Sequence, residues 1–317
     1  MFAYLAKKLG RAVLTLWIAV SITFLLLRLL PSDPTLLVVE GDMTPEMQEG
    51  LREQYGLDKP LGVQYLLYLG QLLTGNLGTS FRQLMPVGDI LLDRLPWTLL
   101  LAGSAFVLTI LIGIPLGVYA AVGRGRFIDK AVQFLGVTSN AVFIPGLAML
   151  LLVIGGSVLG WFPIGGAIDP DTRGLAAYLS LFQHLALPLF TLVLVQIGPY
   201  ALTLRTNMIE VLGEDYVKSA RSRGFSERRT VWRHALRNAI LPALTLMGLQ
   251  LGALIGGAVL TETVFAYPGV GRLIFDAVQQ LDYPLLQGAF VMLAVTVILA
   301  NLLTDTVSML LNPRIRS

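Results

Sequence analysis

From Leu95 to Gly123 the chain carries no charged side chain at all. Roughly 20 apolar helical residues are enough to cross a hydrocarbon core about 30 Å thick, and this run is longer. A soluble fold would have to cover such a helix on every side, whereas lipid does so without further protein. The pattern recurs along the sequence. Residues 12–30 hold one charge, Arg28, close enough to the end to reach the interface. No charge separates Lys130 from Asp169, which leaves room for one span and a following external loop, and 185–204, 238–261 and 283–304 are also free of charge. A charge at mid-bilayer costs about 3 kcal/mol, so six such gaps specify six transmembrane helices. Composition agrees: 14% of the residues are charged, against roughly 25% in a soluble domain.

The first run follows Lys7, Lys8 and Arg11, as a signal peptide does. Its apolar length exceeds the usual core of about 7–15 residues, and Pro31-Ser32-Asp33-Pro34 is a poor cleavage site. It is expected to remain as a permanent helix. There is no cysteine, hence no disulfide or thiolate metal site.

Six spans put the N-terminus, the 123–130 loop, the 205–237 loop and the C-terminus on one side. That side holds sixteen Lys and Arg against six Asp and Glu; the other holds seven against fourteen. Basic residues accumulate on cytoplasmic loops, so both termini are expected inside. The high isoelectric point follows from this asymmetry, and nucleic acid is not an expected partner.

Three segments organise the chain: 1–30, the N-terminal tail and first span; 31–95, an external helical segment; and 96–317, a core of five spans. Within 31–95, Thr44-Pro45-Glu46 reads as a helix start, with Met47, Leu51 and Tyr55 on one face. A second helix is expected at about 62–73, stopped by Thr74-Gly75-Asn76, and a third at about 86–95. Pro115, Pro145, Pro188, Pro199 and Pro242 sit in or beside spans, and Gly252, Gly256 and Gly257 suit close helix packing.

Several chemistries are missing. No Gly is followed by Lys, so there is no phosphate-binding loop. His184 and His234 are the only histidines, which excludes H-E-x-x-H zinc chemistry, and no G-x-S-x-G elbow occurs. Acids within the spans, which proton-coupled carriers need, are scarce; Glu262 and Asp305 lie near span ends. The chain is not expected to be an enzyme.

The 205–237 loop is the informative stretch. Residues 214–223 form a helix with acids first and bases last, as its dipole favours, and Gly224 supplies a left-handed stop. Ser226 then opens a second helix. Val231, Trp232, Ala235, Leu236, Ala239 and Ile240 make one stripe on it, and Arg229, Arg233 and Arg237 the other. Such a hairpin suits a groove on a partner protein. It equally suits anionic lipid, at about 1 kcal/mol per base near the surface. The residues alone leave both open.

Tyr216-Val-Lys-Ser-Ala220-Arg221-Ser-Arg-Gly224-Phe-Ser, continuing through His234-Ala-Leu-Arg-Asn238-Ala-Ile-Leu-Pro242, closely resembles the cytoplasmic signature of ABC-importer permeases. The form is similar to the dipeptide/oligopeptide/nickel branch, including Lys218-Ser219 in place of Glu-Ala and a longer Gly-to-Pro spacing. Leu29-Leu30-Pro31-Ser-Asp33-Pro34, Tyr55-Gly-Leu57-Asp-Lys-Pro60, Gly75-Asn-Leu77-Gly78-Thr-Ser80 and Gly113-Ile-Pro115-Leu-Gly117 extend the resemblance. Glu262-Thr-Val-Phe265-Ala-Tyr-Pro268-Gly269-Val-Gly271-Arg272, Asp282-Tyr283-Pro284 and Asn312-Pro313-Arg314 complete it over nearly the whole chain.

The resemblance implies the first of two permease subunits, paired with a second, similar permease, two cytoplasmic ATPases and an extracytoplasmic solute-binding protein. It implies that Glu214, Asp215, Tyr216, Ala220, Arg221, Gly224 and Phe225 seat in the ATPase groove. Segments 31–95 and 262–284 would face the binding protein, with Glu262, Tyr267, Pro268 and Arg272 on that side or on the pathway. No cofactor is expected on this chain; ATP and magnesium belong to the ATPases. The substrate stays open among short peptides, glutathione, nickel chelates and oligosaccharides. The rival readings are a secondary carrier or channel working without an ATPase, and a membrane scaffold without flux.

Overall fold

A computed structural model describes residues 2–28 and 59–311. Its helices are α1 (Phe2–Arg28), α2 (Leu61–Leu73), α3 (Val87–Val122), α4 (Phe127–Thr138), α5 (Ile144–Val158), α6 (Leu175–Leu212), α7 (Asp215–Ser222), α8 (227–264), α9 (Val270–Gln279) and α10 (Tyr283–Leu311). The only β feature among the described residues is one antiparallel bridge, Thr79 to Pro86. The helix expected from Thr44 lies outside the described residues.

Among the described residues, four helices are long and apolar enough to cross a membrane: Lys8–Arg28, Val87–Val122, Leu175–Leu212 and Tyr283–Thr304. The charge-free run expected to hold the third span is divided between α4 and α5. After α4 the chain makes a tight turn at Ser139–Ala141, becomes extended at Phe143, and restarts with Pro145 in the first turn of α5. Pro145 has no N–H to donate and so suits the first turn of α5, where that donor would lack an intrahelical partner. The fifth expected span falls within Leu236–Val264 of α8. The short helix expected at 86–95 is no separate element: it is continuous with the second span in the 36 residues of α3, about 54 Å at 1.5 Å per residue. Pro96 and Pro115 remove donors from α3 without ending it, as membrane helices allow.

The chain forms two compact units, 1–96 with 269–298, and 97–268 with 299–317. In the first, α2 is fastened to α1 through Phe24, whose ring lies 5.3 Å from Tyr65 and 5.6 Å from Tyr68; Ser21 and the Tyr65 hydroxyl share a 2.6 Å hydrogen bond. Its core joins Val87 and Leu91 of α3, Val270 and Ile274 of α9, and Leu285 and Leu286 of α10. Asp282 of the same unit is fully buried. The carboxylate accepts the Ser80 hydroxyl and the N–H groups of Phe81 (3.2 Å), Arg82 (3.3 Å) and Leu285 (3.2 Å). It therefore caps α10 and pins the 80–82 loop at once.

The second unit is built around α6. A Cβ on Gly117 of α3 would lie 2.8 Å from the Ala201 carbonyl oxygen, and one on Gly136 of α4 would lie 2.6 Å from Leu202. One on Gly198 would overlap the Leu135 carbonyl. Only glycine permits these approaches, so α3 and α4 pack close against the α6 backbone. In the first turn of α4, ahead of the charge-free run that begins at Ala131, Asp129 is 2% exposed and ion-paired with Arg205 of α6. The Arg205 guanidinium holds its carboxyl well below the usual carboxylate range, winning over burial, with help from the Gly125 N–H and Gln133.

Candidate coupling site

Gly213 and Glu214 join α6 to α7. One face of α7 is inward: Ala220 is buried, and the fully buried Val217 packs in a cluster with Val118 of α3, Leu204 and Met208 of α6 and Val231 of α8. Its other face is open, with Glu214, Asp215, Lys218 and Ser219 exposed and Tyr216 40% exposed. Asp215 in the first turn accepts from Lys218 at 3.0 Å, and Arg221 ends the helix, so both termini suit the dipole.

Gly224 stops α7 as the sequence suggested. Its φ is +80°, its N–H donates to Arg221 O at 2.9 Å, and the Phe225 N–H donates to Ala220 O at 3.4 Å. These are the paired bonds of a Schellman turn, which satisfy carbonyls that a helix end leaves orphaned. Ser226 stands at the start of α8 but contributes no side-chain cap bond.

Three contacts brace the hairpin from within. Arg221 grips Glu227 with two donors, Nε at 3.1 Å and Nη2 at 2.7 Å. Phe225 stacks on the His234 ring, 5.3 Å away at an interplanar angle of 29°, and has the Arg229 guanidinium 4.8 Å from its ring centre. The Asn238 amide donates to the Tyr216 hydroxyl at 2.8 Å. Of the seven residues expected to meet an ATPase, Glu214, Asp215, Tyr216, Arg221 and Gly224 lie on the open surface, Arg221 while paired with Glu227; Phe225 is half-buried and Ala220 buried.

The stripes of α8 depend on a feature the sequence did not announce. In an ideal helix, positions four apart drift by about 40°. A wide π-type turn at Thr230–Ala235 absorbs that drift. Val231, Ala235 and Ala239 consequently all stay buried, while Arg229, Arg233 and Arg237 all stay exposed.

At the far end of α8, Glu262 and Tyr267 are both fully buried in the second unit. The helix closes there with Tyr267 N–H donating to Glu262 O at 2.8 Å and Ala266 N–H to Thr263 O at 3.3 Å. That is the turn seen at Gly224, but with alanine in the left-handed position, φ +49°. The Tyr267 ring stands edge-on to Trp97 at 6.0 Å, and the Gly166 N–H donates to Phe265 O at 3.3 Å. Pro268 follows half-buried, whereas Arg272 belongs to the first unit and lies 3.8 Å from Asp276. His184 Nδ1 donates to its own helix at Ser180 O, 2.8 Å away, and its Nε2 is 3.7 Å from Asp169. Sequence reasoning missed the roles of Asp129, Arg205 and Asp282. For Asp282 a signal was present, since an Asp two residues before a proline is a common helix start.

Two sequence profiles cover the chain. Residues 113–317 match the binding-protein-dependent transport system inner membrane component, and 1–102 match the N-terminal part of such membrane components. The chain is 37% identical to the di/tripeptide transport system permease protein DppB of Pseudomonas aeruginosa, over 100% of this chain and 99% of that protein. It is 34% identical to the dipeptide permease DppB of Escherichia coli (100% and 99%) and 34% to the oligopeptide permease AppB of Bacillus subtilis (99% and 99%). Among solved structures, a chain of the inward-facing MetNI methionine ABC transporter matches with a TM-score of 0.55 at 15% identity, over 70% of this chain and 96% of that one. At that identity the likeness speaks for fold alone. The chain belongs to the family of binding-protein-dependent transport system inner membrane components.

Proposed function

We infer that this chain is the transmembrane permease subunit of an ATP-driven importer of short peptides, coupled to its ATPases through the 214–238 hairpin. The observation that carries the coupling role is the hairpin itself. It is closed by a Schellman turn, braced by Arg221–Glu227 and the Phe225 stack, and presents Glu214, Asp215 and Tyr216 outward. A rigid protrusion of this kind meets a partner without first having to be ordered. The peptide assignment rests on the names of relatives that match over the full length.

In this reading the chain has six spans with both termini cytoplasmic, following its charge asymmetry. It pairs with a second permease, two ATPases and an extracytoplasmic binding protein, and holds no cofactor of its own. ATP and magnesium act on the ATPases, whose closure displaces α7 and switches the bundle between inward-open and outward-open states. Purification of this chain from cells that express the whole complex tests it. ATPase subunits are expected to co-purify, and vesicles containing the complex are expected to take up di- or tripeptides only with ATP and binding protein. Uptake by the permeases without an ATPase would replace the reading with a secondary carrier. The purified chain alone is expected not to bind ATP, checked by nucleotide titration.

A further inference from the structure

Asp129 and Arg205 are separated by 76 positions and meet within the second unit; their side chains are 2% and 15% exposed. The Asp129 carboxylate is fully engaged. It accepts the Gly125 N–H at 2.7 Å, the Gln133 amide at 3.0 Å, Arg205 Nη2 at 3.1 Å and Arg205 Nε. Burial of such a pair is a poor route to stability, because well-packed apolar residues commonly serve as well or better. What a two-pronged guanidinium–carboxylate contact adds is a fixed relative geometry.

Its position gives that geometry a use. Arg205 lies on α6 about 10 Å along the axis from Leu212, where the chain turns into α7 through Gly213 and Glu214. Asp129 opens α4 and, through Gly125, also holds the turn that follows α3. Further along the same two helices, Gly136 meets Leu202 and Gly198 meets Leu135 at distances that admit no Cβ. The α4–α6 pair is thus fixed in two places, and the ion pair is the one nearer the hairpin. Apolar surfaces alone would let α6 slip past α4 when α7 is pushed.

We propose that Asp129 and Arg205 are positioning residues for transport: they lock α4 to α6 so that displacement of the α7 hairpin moves both helices as one body. This rests on the coupling role inferred above. Asp129→Asn alone leaves Arg205 buried without its counter-charge, and is expected to lower the yield of the complex whatever the role of the pair. The informative variant is Asp129→Asn with Arg205→Leu, which removes both charges while the new amide oxygen still accepts the Gly125 N–H.

In the reconstituted importer the double variant is expected to recover yield and thermal midpoint and to keep basal ATP hydrolysis. Peptide transported per ATP should nonetheless fall about ten-fold, the scale of a typical coupling between sites. A wild-type ratio in the double variant would overturn the proposal and leave the pair a packing feature. A second measurement needs neither substitution. The chain has no cysteine, so Lys130→Cys with Ser222→Cys accepts a single pair of spin labels, both on exposed positions. Their separation is expected to be the same in nucleotide-free and ATP-bound complexes. A separation that changes means that α4 and α7 move apart, and overturns the locked-body proposal even if the double variant fails to assemble. Failure of the coupling role itself has a different signature: ATPase subunits that do not co-purify with the wild-type chain.

Discussion

Replacing Gly224 by a series of side chains isolates the backbone conformation from the space around it. A Cβ built on Gly224 meets nothing within 4 Å, so any cost within the chain comes from holding an L-residue at φ +80°. That cost is about 1–2 kcal/mol for an ordinary residue, and a β-branched residue is a stronger outlier there. The turn is held by two bonds, Gly224 N–H to Arg221 O and Phe225 N–H to Ala220 O, each contributing about 0.5–1.5 kcal/mol net. Alanine should leave the turn mostly closed, whereas valine should offset nearly all that the two bonds contribute. A valine penalty of about 2 kcal/mol reduces the closed population roughly thirty-fold. Asn tolerates the left-handed region and should be close to silent. The assay is ATP hydrolysis stimulated by substrate-loaded binding protein in the reconstituted complex, alongside retention of the ATPases on the tagged permease. Gly224→Val should lose both with membrane insertion intact. Ser222→Ala is the control, since that exposed hydroxyl reaches only Ser219 O at 3.0 Å. Full stimulation in Gly224→Val would refute the closed hairpin as the coupling element. Equal defects in the Asn and Val variants would show that bulk at the tip, and not φ, is what matters.

Asp282→Asn retains one acceptor oxygen and turns an amide toward N–H donors, so the thermal midpoint of the purified complex should fall, by about 2–4 kcal/mol of stability. Gly198→Ala forces a methyl into the Leu135 carbonyl and should cost about 1–3 kcal/mol, read as reduced yield; Gly256→Ala, where a Cβ meets nothing within 4 Å, should be neutral. Reporter fusions at Gly75, Arg173 and Gln280 should score outside and one at Ser226 inside, and a consistent reversal would invert the topology. Asp129 has a depressed native pKa, so its stabilising effect is complete above the unfolded carboxylate range and is lost as pH falls below it. The difference in thermal midpoint between wild type and Asp129→Asn should therefore stay level from about pH 8 to about pH 5 and shrink below about pH 4.

The hairpin was legible before the structure because its determinants are local. The α7 stop is written in a glycine whose bonds reach no farther than Ala220, five residues before Phe225. The apolar and arginine stripes of α8 were also legible, since a spacing of four survives once the π-type turn at 230–235 corrects the drift. That turn itself was not visible, because an α-helical period and a locally widened one differ by less than a residue per turn. Nor was the burial of Ala220 or the stacking of Phe225 on His234, which depend on what the fold places beside them.

By itself the sequence determined that this chain is helical and apolar enough for a membrane, where its charge-free runs fall, and where one helical hairpin turns. Each of these is set by spacing along a few turns of chain, and the solvation cost of charge in lipid enforces it. Only the tertiary structure decided which carboxylates are buried. Ser80 and Asp282 are 202 positions apart and Asp129 and Arg205 are 76, and no local periodicity connects residues at such distances. It also decided that Ala266 and Leu281 take left-handed conformations at φ +49° and +54°. A local rule would place glycine at both positions. A helix end bonded on both sides, and packed against neighbours distant in sequence, holds a strained residue that its own few neighbours would not select.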